Sequence, residues 1–127
     1  MADHRVVLTW VRDSEDFSYK NYNRSHQWDF GHGITVQASA APDYQGDPEL
    51  VDPEQAFVAA LSSCHMLTFL AIVSQKRLVV DQYEDQASGV LAKNAQGKMA
   101  LTEVTLRPKI TFSGDNQPDE QIIAQLH

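Results

Sequence analysis

The chain contains one cysteine, Cys64, and its thiol is the side chain best suited to nucleophilic or redox chemistry. A cysteine nucleophile reacts as its thiolate, which a nearby cation favours. Arg24 and His65 are candidates for that cation by residue type. The alternative is a structural thiol, because free cysteine is among the residue types most often found in protein cores.

Glu54 precedes Cys64 by ten residues, just after Asp52 and Pro53. Ten residues of helix rise by ~15 Å, so Glu54 cannot contact the Cys64 thiol of its own helix. One interpretation is a first-turn carboxylate that the helix dipole favours. The other is that Glu54 serves the cysteine of another subunit.

Other chemistries find little support. The five histidines are scattered without metal-ligand spacing, and a single cysteine excludes both an internal disulfide and a Cys₂ or Cys₄ metal site. We therefore expect no metal and no cofactor. The sequence also lacks the elbow and oxyanion motifs of a Cys/His hydrolase. Trp10, Tyr22 and Trp28 are interpreted as packing on strand faces rather than as a ligand cage.

A long helix must carry both Glu54 and Cys64. Asp52 is a typical N-cap, Pro53 suits the first helical position, and Gln55 completes a capping box. The helical pattern runs to about Lys76 and is apolar nearly all round, which predicts burial nearly all round. A small chain cannot easily cover such a helix, so we expect it to be packed by sheets from more than one subunit.

Strand patterns flank this helix and predict an α+β fold in a single domain over residues 1–127. The strands are expected at 6–10, 23–28, 34–38, 78–83, 87–91 and 99–112, with loops at 43–51 and 94–97. Pro108 suggests an edge strand or a bulge. A short helix is predicted from 116–119 to 127, without a C-cap glycine. We expect that the chain is cut inside this element.

Composition narrows the function classes. The 127 residues include 10 Lys+Arg and 17 Asp+Glu, a formal net charge of −7, which disfavours nucleic-acid binding. No run of ~18 apolar residues is evident, so no transmembrane helix or membrane partner is expected. The N-terminal residues lack the apolar core of a signal peptide. The expected location is cytoplasmic, where a lone thiol stays reduced.

Residues 52–65, DPEQAFVAALSSCH, resemble the signature of the OsmC/Ohr family of osmotically induced and organic hydroperoxide resistance proteins. Its pattern is N/D-P-E-(E/Q)-(L/A)-(L/F)-x-A-A-(L/Y)-(S/A)-(S/A)-C at the start of a long helix. Residues 38–42 and 79–84 fit the flanking strands, so the resemblance covers essentially the whole chain. The loop at 43–51 and the S-S-C-H-M form are more similar to the OsmC-like branch than to strict Ohr enzymes.

The resemblance implies an OsmC-like fold, in which antiparallel sheets wrap around a long central helix in an intertwined homodimer. It implies that Cys64 is the peroxidatic cysteine of a peroxiredoxin-type organic hydroperoxide reductase in oxidative-stress defence. Glu54 and Arg24 would orient and activate the thiolate at the subunit interface, with Glu54 holding Arg24 in a bidentate pair.

The substrate implied is a small organic hydroperoxide, which leaves as an alcohol while the cysteine becomes a sulfenic acid. We expect an apolar pocket formed by Phe57, Leu61 and Met66. The implied electron donor is a dithiol such as a lipoyl protein.

One departure from the family pattern stands out, because the sequence holds no second, resolving cysteine. The chain could be truncated, could use an external thiol, or could be a degenerate member with another role. An alternative function is therefore a catalytically impaired dimer that binds a small apolar ligand or senses oxidants through Cys64. A purely structural dimer with a core thiol is the third possibility.

Overall fold

The computed structural model describes residues 3–114, 118 and 127. They form two compact units, which divide between Ala56 and Phe57. The elements are β1 Val7–Thr9, β2 His26–Gly31, β3 Ile34–Ala38, a 3₁₀ turn Pro42–Tyr44, α1 Pro53–Gln75, β4 Val80–Asp85, β5 Ser88–Lys93, β6 Met99–Thr105 and β7 Pro108–Phe112. The α+β class predicted from the sequence is confirmed. The single-domain assignment stays a prediction.

The first unit contains a three-stranded antiparallel sheet in the order β1-β2-β3. Trp28 on the central strand lies opposite Leu8 on one side and Val36 on the other. The β2–β3 turn at 31–33 has positive φ throughout, which its two glycines adopt without strain.

Strand β2 begins at His26, three residues later than predicted. The Asn23 side chain accounts for the difference, because it bonds across the preceding loop instead of lying on a strand face. Its Oδ1 accepts from the Asp13 amide at 3.1 Å, and its Nδ2 donates to the Val11 carbonyl at 2.9 Å. Asn23 thereby closes the long connection between β1 and β2.

Helix α1 begins as predicted, with a reciprocal capping box. The Asp52 carboxylate accepts from the Gln55 amide at 2.8 Å, and the Gln55 side chain accepts from the Asp52 amide at 3.1 Å. The helix ends in a Schellman motif, with Arg77 at φ 61° and the Leu78 amide bonded to the Val73 carbonyl.

Within this chain only Phe69 and Val73 of α1 are buried, among the residues described. The prediction of burial nearly all round is wrong for the single chain, since Phe57, Leu61 and Leu67 are 42–60% exposed. We expected α1 to be packed by sheets from more than one subunit. That packing requires apolar side chains of α1 to be exposed in the single chain, as they are here.

By length and composition α1 could also cross a membrane, with a mean hydropathy of 2.0 in its most apolar window. The expectation of no transmembrane helix rests on the lack of an uninterrupted apolar run and stays a prediction. The helix contains polar residues such as Ser62, Ser63 and His65, but few Asp, Glu, Lys or Arg residues. The mean hydropathy of its most apolar window therefore stays high. The core helix of a soluble protein meets the same criterion, so α1 carries no membrane assignment.

The second unit pairs β4 with β7 and β5 with β6, each pair antiparallel. Its core is formed by Phe69 and Val73 packed against Leu70, Ile72, Leu78, Val80, Tyr83, Ile110 and Phe112. The predicted strand at 99–112 is two strands, because the Arg107 amide bonds the Asp85 carboxylate and Pro108 has no amide hydrogen. Pro108 starts β7 in a two-stranded sheet, which confirms its predicted edge position. The helix predicted at 116–127 falls largely outside the described residues.

Candidate functional site

Cys64 lies in the middle of α1 as a free cysteine, and its residue is exposed. The interpretation of Cys64 as part of the chain's own core is therefore wrong for the single chain. An exposed thiol on a rigid helix is open to a small electrophile, which is the first requirement for a cysteine nucleophile.

Glu54 lies in the first turn of α1, where the helix dipole favours a carboxylate. Its Oε2 atom is buried and has no hydrogen-bond partner among the described residues. A buried carboxylate oxygen without a donor is costly, so this atom requires a donor that the described part of the chain does not supply.

Arg24 is held by backbone carbonyls and aromatic rings. Its guanidinium donates to the carbonyl oxygens of Tyr19 and Tyr22. It also lies 3.5 Å from the centroid of the Tyr22 ring and 4.8 Å from that of Tyr19. Within the described residues it forms no ion pair, so the expected Arg24–Glu54 pair is not present in the single chain.

Arg24 forms part of a cleft of about 380 Å³ in the first unit. The cleft is lined by Trp10, Phe17, Tyr22, Asn23, Arg24, His26, Ser39, Ala40 and Pro53. Trp10 and Tyr22 lie outside the strands, so their interpretation as strand-face packing is wrong, whereas Trp28 does lie on strand β2. The aromatic residues clustered before Arg24 were the available sequence signal, but their convergence depends on the fold of the β1–β2 connection.

His26 is fixed in one tautomer by its neighbours. The Trp28 indole N–H donates to His26 Nε2 at 2.9 Å, so Nδ1 carries the hydrogen and donates to the Arg24 carbonyl at 2.8 Å. Both ring nitrogens are therefore occupied, and His26 offers no free donor to a ligand in this state.

The predicted pocket residues lie in the second unit or at its start. Phe57 and Leu61 are exposed on α1, and Met66 is half-buried. None of the three lines the aromatic cleft. Their assignment to substrate binding stays a prediction.

His65, the neighbour of Cys64, contacts His127. Their rings stack with centroids 5.1 Å apart, and His65 Nε2 lies 2.9 Å from His127 Nδ1. The His127 ring also stacks on Phe69, with centroids 4.4 Å apart. Burial, followed by the charge of His65, lowers the pKa of His127 below its ordinary value of 6.5. Because His65 is committed to this contact, it is a poorer candidate than Arg24 for the cation near the thiol.

Asp85 ties α1 to the strands of the second unit. Its carboxylate accepts from the Ser62 hydroxyl at 2.5 Å and from the Arg107 amide at 2.6 Å. The Arg107 side chain adds bonds to the Gln86 carbonyl and the Ser88 hydroxyl, both at 2.9 Å. This network fixes the helical turn that precedes Cys64.

No group of three or more His, Cys, Asp or Glu side chains within the described ranges could hold a metal ion.

Comparisons with known proteins identify the family of this chain. The family model described as "OsmC-like protein" matches residues 46–127. The chain is similar to the structure of an OsmC-like protein of unknown function from Vibrio cholerae, with 45% identity and a TM-score of 0.92. That alignment covers 99% of this chain and 85% of the other. The protein belongs to the OsmC-like family.

Two more distant structures share the fold. An OsmC-like protein from Mycoplasma pneumoniae has 16% identity and a TM-score of 0.71. That alignment covers 98% of this chain and 77% of the Mycoplasma chain. A protein from Legionella pneumophila, described as an organic hydroperoxide resistance protein OsmC, has 13% identity and a TM-score of 0.65. Coverage there is 99% of this chain and 81% of the other. No protein with a curated record matches the chain.

Proposed function

We propose that the protein is a thiol-dependent peroxidase that reduces organic hydroperoxides to alcohols, with Cys64 as the nucleophile. The observation that carries this proposal is the free, exposed thiol on α1, ten residues after Glu54, in a chain of the OsmC-like family. The description of the Legionella neighbour as an organic hydroperoxide resistance protein supports the same reaction class.

The proposed reaction begins with attack of the Cys64 thiolate on the terminal oxygen of the hydroperoxide. The S–O bond forms as the O–O bond breaks, and the two electrons of the new bond come from sulfur. The leaving alkoxide takes up a proton and departs as the alcohol. The transferred oxygen stays on Cys64 as a sulfenic acid.

A dithiol such as a dihydrolipoyl group then restores the thiol. Its first sulfur condenses with the sulfenic acid, which releases water and forms a mixed disulfide. Its second sulfur attacks that disulfide, so the dithiol leaves as a cyclic disulfide and Cys64 returns to the thiol. This route needs no second cysteine in the protein.

Assembly is part of the proposal. A homodimer built around α1 would cover the exposed side chains of Phe57, Leu61 and Leu67, which the single chain leaves to solvent. A second copy would also bring donors toward the unpartnered Oε2 of Glu54. We place Glu54 and Arg24 as the groups that orient and activate the thiolate there, beside an apolar pocket of Phe57, Leu61 and Met66.

We further propose a cytoplasmic location, in keeping with a reduced lone thiol and a lipoyl-type reductant. The net charge of −7 argues against nucleic acid as a partner.

The deciding experiment follows cumene hydroperoxide consumption with dihydrolipoamide as the reductant. The wild-type protein should turn over many times per Cys64, and Cys64→Ser should fall to the uncatalysed background. Ser63→Ala is the matched control, since it alters the adjacent exposed residue of α1 and should keep the wild-type rate.

Wild-type consumption by Cys64→Ser would refute the assignment of the nucleophile. Consumption that stops after a few hydroperoxides per Cys64, with the sulfenic acid over-oxidised by further peroxide, would show that Cys64 attacks peroxides but that the dithiol does not resolve it. No consumption at all would favour the non-enzymatic alternative, a dimer that binds a small ligand.

A further inference from the structure

The hydrogen bond between Ser62 and Asp85 lies two residues before the thiol of the proposed reaction. We infer that Asp85 is a positioning residue, which acts through Ser62 to hold the rotation of α1 so that Cys64 points away from the strands of its own unit. This inference rests on the proposed peroxidase, in which the Cys64 thiolate must meet the terminal oxygen of a hydroperoxide at a set distance and direction.

The apolar core of the second unit does not cover the turn of α1 that carries Cys64. The buried residues of α1, among those described, are Phe69 and Val73, and both follow Cys64 by more than one turn. Cys64 is itself exposed, as are Leu61 before it and Leu67 after it. The orientation of this turn therefore depends on contacts other than burial in that core.

Strand β5 comes close to α1 about one turn before Ser62. A Cβ atom on Gly89 would lie 2.8 Å from Cγ2 of Val58, so the absence of a side chain at Gly89 permits this approach. Apolar contact is non-directional, so it holds the helix against the strand without fixing its rotation. A hydrogen bond is directional, and the Ser62 hydroxyl makes one to β4 at 2.5 Å.

The Asp85 carboxylate is fixed at both of its oxygen atoms. Oδ2 accepts from the Ser62 hydroxyl at 2.5 Å, and Oδ1 accepts from the Arg107 amide at 2.6 Å. The Arg107 side chain in turn donates to the Gln86 carbonyl and the Ser88 hydroxyl, both at 2.9 Å. A hydroxyl bond to a carboxylate held in this way restrains the helix more than a bond to a free side chain would.

The spacing of Ser62 and Cys64 determines the direction of the thiol. Successive residues of an α-helix are rotated by about 100°, so side chains two residues apart point about 200° apart around the axis. Ser62 is half-buried and faces the strands, because it bonds Asp85 of β4. Cys64 therefore points to the opposite side of α1, in agreement with its exposure.

The thiol shares its side of α1 with side chains that the proposed dimer would cover. Residues three before, three after and seven before Cys64 lie within about 60° of it around the helix axis. These residues are Leu61, Leu67 and Phe57, which are 42–60% exposed. The Ser62–Asp85 bond thus sets the face of α1 on which the thiol and the proposed pocket would meet a substrate.

A small rotation of α1 would displace the thiol by a distance that matters for attack. A side-chain atom lies ~5 Å from the helix axis, so a rotation of about 15° moves it by ~1.3 Å. A misplacement of about 1 Å can slow a reaction by ~100-fold. For a helix that keeps its other contacts, we expect loss of the Ser62–Asp85 bond to slow attack on a hydroperoxide by about tenfold.

The test compares two reactions of Cys64 in the full chain without reductant, the initial consumption of cumene hydroperoxide and alkylation by iodoacetamide. Both second-order rate constants are measured near pH 10, above the usual thiol pKa of ~8.5, so that thiol ionisation does not differ between variants. Ser62→Ala and Asp85→Ala should each slow hydroperoxide consumption about tenfold. Alkylation should change by less than about twofold, because an exposed thiolate is alkylated from many directions.

The double variant should be no slower than Asp85→Ala alone, since both changes remove the same bond. Asp85→Ala also removes the acceptor of the Arg107 amide, so Ser62→Ala is the cleaner variant. Circular dichroism at the assay concentration establishes that each variant is folded.

Two controls separate position from stability. Ser63→Ala removes the neighbouring hydroxyl of α1, which is exposed and has no hydrogen bond among the described residues. Gly97→Ala strains the positive-φ turn between β5 and β6 of the same unit, and its Cβ meets nothing within 4 Å. Both variants should keep the wild-type rate constants in both reactions.

Unchanged hydroperoxide consumption in folded Ser62→Ala and Asp85→Ala would overturn the positioning role. An equal fall in both reactions would also overturn it, because the thiol would then have lost exposure rather than orientation. The same holds if Gly97→Ala slows hydroperoxide consumption as much as Ser62→Ala does. A wild-type chain that consumes no hydroperoxide would refute the proposed function and this inference together, so the two failures are distinguishable.

Discussion

Replacement of Asp85 by alanine should destabilise the second unit strongly, although Asp85 is a charged residue at a strand end. Its carboxylate accepts from the half-buried Ser62 hydroxyl at 2.5 Å and from the more exposed Arg107 amide at 2.6 Å. Alanine removes the acceptor and leaves both donors unpaired. The first bond contributes about 1.5–3 kcal/mol as a hydrogen bond to a charged group. The second contributes about 0.5–1 kcal/mol, because water can replace the carboxylate.

The expected loss is therefore about 2–4 kcal/mol in the free energy of unfolding. Asp85→Asn keeps the volume and one acceptor oxygen, so its loss should be roughly half as large. Urea unfolding, followed by circular dichroism at one fixed chain concentration, measures both variants. Asp81→Asn is the matched control, because Asp81 is exposed on the same strand and its side chain has no hydrogen bond among the described residues. It should change stability by less than about 0.5 kcal/mol.

A double-mutant cycle isolates the helix-to-strand bond. Ser62→Ala and Asp85→Asn should each destabilise the protein, and their combination should fall short of the sum by about 1–2 kcal/mol. Additive effects would show that the Ser62–Asp85 bond contributes nothing to stability. A loss in Asp85→Ala no larger than in Asp81→Asn would refute the reasoning as a whole.

Four further results are expected. Asp52→Ala should cost about 1 kcal/mol in urea unfolding, because it removes the N-cap of α1, and an unchanged midpoint would contradict the cap's role. Gly46→Ala should cost about 2 kcal/mol or more, since its Cβ would lie 1.6 Å from the Ala40 carbonyl oxygen. Gly97→Ala, whose Cβ meets nothing within 4 Å, should cost only the positive-φ strain of about 1 kcal/mol. Because the pKa of His127 is lowered in the folded chain, the unfolded chain binds more protons than the folded chain near pH 6.5. The stability that His127 contributes is therefore present above pH 6.5 and is lost as the pH falls below it. An NMR titration should place the His127 midpoint below 6.5, and a midpoint at or above 6.5 would contradict the burial argument.

Local signals in the sequence located the elements that local chemistry determines. The capping box of Asp52 and Gln55 involves residues three apart, so the start of α1 was predictable. Pro108 indicated an edge or a bulge within the predicted strand at 99–112, but not that the strand ends there. The strand ends there because the Arg107 amide donates to the Asp85 carboxylate, 22 residues earlier in the chain. A contact between residues so far apart in sequence leaves no local pattern.

The aromatic cleft was not predictable for the same reason. Trp10 and Asn23 are thirteen residues apart, and their bond determines where the cleft wall stands. The predicted β2 began at Asn23, whereas the hydrogen bonds of that side chain close the preceding loop. The types and spacing of Glu54 and Cys64 identify them as candidate site residues. That one carboxylate oxygen of Glu54 is buried without a hydrogen-bond donor depends on the fold and could not be predicted from the sequence.

The bare apolar face of α1 also bears on how the protein is made. Under the proposed assembly, a newly synthesised chain carries Phe57, Leu61 and Leu67 in contact with water until it meets another copy. Folding and association are then linked by mass action, so the melting temperature rises with chain concentration. Each tenfold dilution weakens a bimolecular assembly by ~1.4 kcal/mol. Cells that express little of the protein would hold more of it as single chains, whose exposed helix invites aggregation and proteolysis.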